Sequence, residues 1–194
     1  MANPLGNLIS QKDSNDDSWI SVSDMMTGLM MIFLFIAIIY IQEVLNTYGE
    51  FEDVQAKICS ELKNEFNDEQ ELWNMKICEG GLLVKFQNNE NFAPDSKEIT
   101  KKFQLVLSEF YPRFKKILWK YINDVDELRI EGHASSEARG KTVKEAYLYN
   151  TELSQGRSFN VMNYILGLEE ISKNEEFLKW SYKNLTAHGM SSSD

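Results

Sequence analysis

The pattern of apolar and polar positions divides the chain into three regimes. Residues 25–41 read MMTGLMMIFLFIAIIYI, an apolar run broken only by Thr27, Gly28 and Tyr40. Extended back to Trp19, it reaches about 20 residues or slightly more, enough to cross a hydrocarbon core of about 30 Å as a helix. Residues 42–73 lack proline and carry one glycine, Gly49, with Val44, Tyr48, Phe51, Ile58 and Leu62 at near-heptad spacing and Gln55 in the seam slot between. This predicts a helical linker, either paired with a second copy or lying alone on the domain that follows. From Gly80 onward the pattern turns to mixed α/β.

In that last regime, residues 82–86 read as a strand and 89–96, NENFAPDS, as a loop. A helix is predicted over 97–110, with Phe103, Val106, Leu107 and Phe110 on one side. Pro112 is expected to break or restart it before it resumes through Phe114, Ile117, Leu118 and Tyr121. Residues 128–131 form a short predicted strand ending at Gly132, and ASSEARGKTVKEA follows as loop. A second helix over 150–166 places Leu153, Val161, Tyr164, Ile165 and Leu168 at helical spacing. One or two further helical turns fall at 175–182, and a third strand at 185–188. The order β-α-β-α-β implies one sheet with helices on one face. The expected organisation is a tail over 1–18, a transmembrane helix over 19–41, a helical linker over 42–79 and an α/β domain over 80–194.

Charge sharpens this division. The net charge of −10 is carried unevenly: Asp13, Asp16, Asp17 and Asp24 face only Lys12 in the first 41 residues, and residues 42–79 hold ten acids against Lys57, Lys63 and Lys76. The remaining residues balance sixteen acids with sixteen bases, so the acidity belongs to the tail and linker. No basic face is visible to displace counterions from phosphates, which argues against a nucleic-acid partner. A cleaved signal peptide fits poorly, because the preceding region is acidic and the run continues into IQEVLNTYGEFED with no small-residue cleavage site. Lys12 and the amino terminus face a C-terminal flank whose first cation is Lys57, which weakly favours an N-terminus inside.

Asp24 is the sharpest chemical feature. A carboxylate within a bilayer costs at least a few kcal/mol and persists where it faces a protein interior, a cavity or an ion path. With Trp19 as an interface anchor, Asp24 sits roughly 7 Å deeper along the helix. Desolvation raises the pKa of such a group, so a change of surroundings switches it between neutral and ionised, as proton coupling requires. Thr27 and Gly28 share its helix face, offering a hydroxyl for cation coordination and a small surface for a partner helix. The competing reading is that Asp24, after Ser21 and Ser23, caps the helix at headgroup level.

Cys59 and Cys78 are the only cysteines. Outside the cytoplasm, a disulfide between them would close a loop of about 20 residues and stabilise the junction by about 3 kcal/mol; two unpaired thiols are the alternative. Without histidines nearby they fall short of a four-ligand metal site, and no cofactor is implied. A weaker cluster joins Gly132 and His133 to Asn150, Leu153, Ser154 and Arg157, where a guanidinium one turn into a helix suits bidentate binding of a carboxylate. His133 and His188, the only histidines, lack a partner at a recognisable motif spacing, so an enzyme is not expected.

Together these features resemble the MotB/OmpA-like family, in which a membrane span bearing one Asp precedes a peptidoglycan-binding domain. WISVSDMMTGLMMIFLF is similar to the family's motor-stator segment, and RIEGHASSEARG with NTELSQGRSFNVMNYI to its OmpA-like signature, where Asn150, Leu153, Ser154, Arg157 and Val161 match at the family's mutual spacing. The short acidic tail and the contexts KICSEL and MKICEGGLLVKF set the chain apart from flagellar stator subunits, which more typically carry a basic N-terminal segment, and resemble a branch serving anti-phage defence. The resemblance implies an inner-membrane, single-pass protein with its C-terminal domain periplasmic. It implies further that two copies sit within a ring formed by a multi-span membrane partner, that Asp24 with Thr27 carries protons or sodium, and that the C-terminal domain grips peptidoglycan. Arg157 would hold the diaminopimelate carboxylate and Asn150 support the loop. A flagellar-type stator or a passive wall anchor are the alternatives. The family's GHTD is GHAS here, so Ser135 replaces the Asp expected at the ligand. The family's Arg-rich strand motif does not follow AHGM, which implies an incomplete domain or a differently completed sheet.

Overall fold

The computed structural model describes residues 10–87, 90–134 and 140–191, with side chains from Trp19 and then from Val22 onward. Helix α1 runs Ser10–Glu65. The chain divides into two compact units, residues 1–53 and 54–194.

In the first unit the apolar run is exposed on every side: Met26, Phe33, Phe35, Ile39 and Tyr40 all lie open. A helix apolar all round is stable only where something apolar surrounds it. The helix is long and apolar enough to cross a membrane, and none of its most apolar window is covered by protein.

The second unit begins with the end of α1. Ile58, Leu62 and Phe66 are buried in its core, so the stretch read from heptad spacing as linker supplies core side chains. Phe66 packs between Trp73 and Phe110 with its ring tilted to both, centroids 6.2 and 4.8 Å away. After the short helix α2 (Glu69–Leu72), β1 (Met75–Ile77) pairs antiparallel with β2 (Val84–Phe86), Met75 opposite Phe86. Strand β1 is an addition to the three expected strands. The turn between the two uses Gly80 and Gly81, both at positive φ.

Helix α3 (Lys101–Lys120) starts at Thr100, whose hydroxyl accepts from the Phe103 amide. It runs through Pro112 without a break, contrary to the expected interruption. An interior proline costs roughly 3 kcal/mol. Phe103, Leu107, Phe110, Tyr111, Ile117 and Leu118 are buried along the same helix, and each such side chain contributes about 1.5–3 kcal/mol. Packing on both sides of Pro112 outweighs its penalty.

Strand β3 (Leu128–Gly132) pairs parallel with β4 (Leu185–Gly189), from Leu128 opposite Leu185 to Gly132 opposite Gly189. The described strands therefore form two two-stranded ladders rather than the single sheet expected. Between β3 and β4 lie α4 (Val143–Gly167), α5 (Glu169–Ser172) and α6 (Glu175–Asn184). Helix α4 begins two turns earlier than hydrophobic spacing predicts. Thr142 and Glu145 form a reciprocal capping box, each side chain bonded to the other's backbone amide.

The strand ends meet α4 at close range. A Cβ on Gly132 would lie 2.1 Å from the Ser154 carbonyl oxygen, and one on Gly189 2.5 Å from the Gln155 amide. Gln155 then stitches helix to strand, donating to the Ala187 carbonyl at 3.0 Å and accepting from the Gly189 amide at 2.8 Å. These contacts fix the turn of α4 that carries Arg157.

Candidate functional site

Two groups of residues carry candidate chemistry, one in each unit. On α1, an open depression is lined by Trp19, Ser23, Asp24 and Thr27. Helical spacing puts Asp24 one turn from Thr27. The Thr27 hydroxyl donates to the Ser23 carbonyl at 2.8 Å, which leaves its oxygen lone pairs to accept a proton-bearing group or a cation. Asp24 itself is exposed. An ionisable group, a hydroxyl oxygen and an indole ring thus line one depression at the start of the apolar run.

In the second unit, Arg157 is half-buried and held on three sides. Its Nε donates to the Ser96 carbonyl and its Nη1 to the His133 carbonyl, both at 3.0 Å. Its guanidinium carbon lies 5.0 Å from the centroid of the Phe92 ring. Burial lowers its pKa, and the charges of Asp95 and Tyr149 act in the opposite direction. Asn160, one turn on, donates to the Lys97 carbonyl at 2.8 Å. The loop before α3 is therefore fastened to α4 through its backbone. Asn150 is buried two turns before Arg157 on the same helix. Ser154 is fully buried, accepting from the Ser191 amide and donating to the Thr151 carbonyl, both at 3.0 Å. Ser135, the remaining candidate for ligand contact, lies outside the described residues.

Sequence reasoning gives no sign that Phe92 meets Arg157, or that Asp95 and Tyr149 lie close enough for their charges to act on it. Burial first, and then the Asp95 carboxylate, raise the Tyr149 pKa. Only the turn signal of Pro94-Asp95-Ser96 marks the loop in sequence, and nothing there pairs it with α4.

Cys59 and Cys78 are joined in a disulfide, with Cα atoms 5.9 Å apart, tying the end of α1 to the residue after β1. Among the described residues no group of three His, Cys, Asp or Glu side chains gathers as metal ligands. Each histidine lies near a carboxylate on the exposed β3–β4 face: His133 Nε2 is 3.9 Å from Glu131, and His188 Nε2 is 3.7 Å from Glu127 and 3.1 Å from the Thr186 hydroxyl.

No family model matches the chain. Among curated proteins, it is 34% identical over 184 residues to Zorya protein ZorB of Escherichia coli strain Crooks, a match covering 90% of this chain and 78% of that protein. The chain belongs to the ZorB family. Among solved structures, this ZorB-family chain is similar to a MotB-like protein from Desulfovibrio vulgaris, with TM-score 0.48 and 22% identity over 73% of this chain and 78% of that one. It is also similar to the cell wall anchor of the T6SS from Pseudomonas aeruginosa, with TM-score 0.45 and 21% identity over 69% of this chain and 80% of that one. A ZorB-family reading makes the single apolar helix a membrane anchor and the second unit the domain it carries.

Proposed function

We propose that this ZorB-family protein is the stator-like subunit of an ion-driven membrane motor in anti-phage defence. Two copies sit within a ring formed by a multi-span, ZorA-like partner. The N-terminus is cytoplasmic, α1 crosses the inner membrane once, and the second unit lies in the periplasm. Protons, or sodium, pass by way of Asp24 with the Thr27 oxygen, while the second unit holds the dimer to peptidoglycan through Arg157, Asn150 and Ser135. Ion passage turns the ring against this fixed pair.

The single observation that carries the reading is the placement of Asp24 beside Thr27 on a helix whose most apolar window is uncovered by the described protein. A membrane leaves Asp24 needing a partner, since a lone carboxylate there is costly, and a surrounding ring supplies one. The Cys59–Cys78 disulfide supports a periplasmic second unit, because disulfides persist in oxidising compartments.

The test is Asp24→Asn in cells that carry the partner. Ion flux and defence are lost while the complex still co-purifies from membranes, and the dependence of wild-type flux on pH or on sodium identifies the ion. Flux and defence at wild-type levels in Asp24→Asn would sink the motor reading. Loss of complex in that variant would make Asp24 an assembly residue instead.

A further inference from the structure

Within the second unit, the end of α1 is fastened on both flanks of the stripe it buries. Ile58, Leu62 and Phe66, just past its end, lie in the core. Along one flank α3 supplies cations to Glu61 and Glu65 of α1 and to Glu69 of α2. Lys120 Nζ is 2.6 Å from Glu61, and Arg113 reaches Glu65 through Nε at 2.7 Å and Glu69 through Nη1 at 2.6 Å. Arg113 Nη2 also donates to the Glu65 carbonyl, and its guanidinium carbon lies 4.5 Å from the centroid of the Phe66 ring. The Tyr121 hydroxyl donates to Glu61 at 2.7 Å. On the other flank, Cys59 is bonded to Cys78 after β1. At about 100° per residue, Glu61 and Glu65 fall to one side of the buried stripe and Cys59 to the other.

Apolar contact is non-directional, so a helix resting on an apolar stripe alone can roll about its axis at little cost. Bonds on both flanks oppose rolling in either sense. The planar fork of Arg113 meets Glu65 and Glu69 together, which fixes direction as well as distance. The Arg113 and Glu69 side chains are only 30% and 23% exposed, and partly buried pairs are screened less by salt. The last turns of α1 are also where the chain passes from the apolar helix into the second unit, so a turning load on that helix enters the second unit through them. An anchor that resists rotation needs a helix that cannot roll there.

We infer that Arg113 and the Cys59–Cys78 bond are paired torsion stops, positioning residues that keep the end of α1 from rolling when the motor pulls on it. Each alone keeps the helix seated, and loss of both leaves only the apolar stripe. The inference rests on the motor reading of this protein, and it assigns to the α1–α3 contact the transfer of turning load into the second unit.

The experiment compares Arg113→Gln, the pair Cys59→Ala with Cys78→Ala, and all three changes combined, in the full chain with its partner. Amide exchange in detergent is followed over residues 58–66 and at Ile165 and Phe177 in the core, beside co-purification, ion flux, sacculus pull-down and defence in cells. Arg113→Gln and the cysteine pair are each expected within about twofold of wild-type defence, because the remaining stop still holds. The combined variant exchanges about tenfold faster over 58–66, with Ile165 and Phe177 unchanged. It keeps partner, flux and pull-down but loses about tenfold or more in defence. Reversing the charges, Arg113→Glu with Glu65→Arg and Glu69→Arg, restores defence in the cysteine-free chain. The inference is overturned if the combined variant defends like wild type while 58–66 exchange faster. It is overturned equally if Phe177 exchanges faster as well and the reversed charges restore nothing, since the contacts are then structural only. If Asp24→Asn keeps wild-type flux and defence, the motor reading falls and takes the torsion stops with it; normal defence by the combined variant beside an inactive Asp24→Asn overturns the stops alone.

Discussion

Arg157 Nη1 donates to the carbonyl of His133 at 3.0 Å, joining the middle of α4 to the residue that follows β3. The same guanidinium holds Ser96 through Nε. One side chain thus sets the distance between the loop before α3 and the end of β3, which are the two walls of the candidate site.

That double attachment separates two substitutions that would otherwise look alike. Arg157→Lys keeps the charge, but a single ammonium cannot reproduce the planar fork that meets two carbonyls at once. Arg157→Ala removes both bonds and the packing over Phe92. The expected result is a stability loss of about 1.5–3 kcal/mol for the alanine variant and a smaller one for lysine, with sacculus binding weakened in both. Urea midpoints beside pull-down affinities check this; a lysine variant with wild-type binding would contradict the forked role.

Gly132 makes a sharper structural prediction. A Cβ there meets the Ser154 carbonyl oxygen at 2.1 Å, a backbone atom that cannot swing aside. Gly132→Ala should destabilise the second unit by about 3 kcal/mol, the upper end of ordinary overpacking. Gly49 is the contrasting case: nothing lies within 4 Å of its Cβ position on α1, so Gly49→Ala should be neutral or stabilise by about 0.5–1 kcal/mol. Thermal melts of the two variants should move in opposite directions or only the first should move.

The disulfide yields a third. Joining Cys59 to Cys78 across 19 residues of sequence constrains the unfolded chain by about 3 kcal/mol on the loop-entropy account. Reduction, or Cys59→Ala with Cys78→Ala, should lower the denaturation midpoint of the second unit, read through the fluorescence of the buried Trp73. An unchanged midpoint would show that Phe66, packed between Trp73 and Phe110, holds the end of α1 without help.

What the chain declares in sequence and what it withholds follow a physical line. The membrane span and Asp24 are legible because an unbroken apolar run with one carboxylate is a one-dimensional signal. Apolar spacing alone places the start of α4 too late, although Thr142 and Glu145 spell a capping box ahead of it. Strand β1 is three residues long and has no period to detect. Pro112 carries a local signal that points the wrong way, since distant packing overrides it. The division into two ladders, and the meeting of Phe92 and Ser96 with Arg157, depend on contacts between segments far apart in the chain, for which neither spacing nor propensity holds information.

The last prediction concerns acid. Glu127 has its pKa lowered to about 2, first by the hydrogen bond from Arg129 and then by that from Thr186 Oγ1 at 2.6 Å. A carboxylate depressed on folding adds stability that is fully present above its unfolded pKa, near 4.5, and lost as pH falls through the folded value. The window for Glu127 is therefore pH 4.5 down to about 2. Because the group is exposed, salt screens the interaction. Glu127→Gln should melt below wild type at pH 6 in low salt, with the gap closing as pH approaches 2 and shrinking at high salt. The pairing joins the start of β3 to β4, so the lost contact should also speed amide exchange at Thr186 more than at Gly189, where the Gln155 side chain holds the strand independently. A gap that persists unchanged at pH 2 would mean that Glu127 acts through its packing and not through its charge.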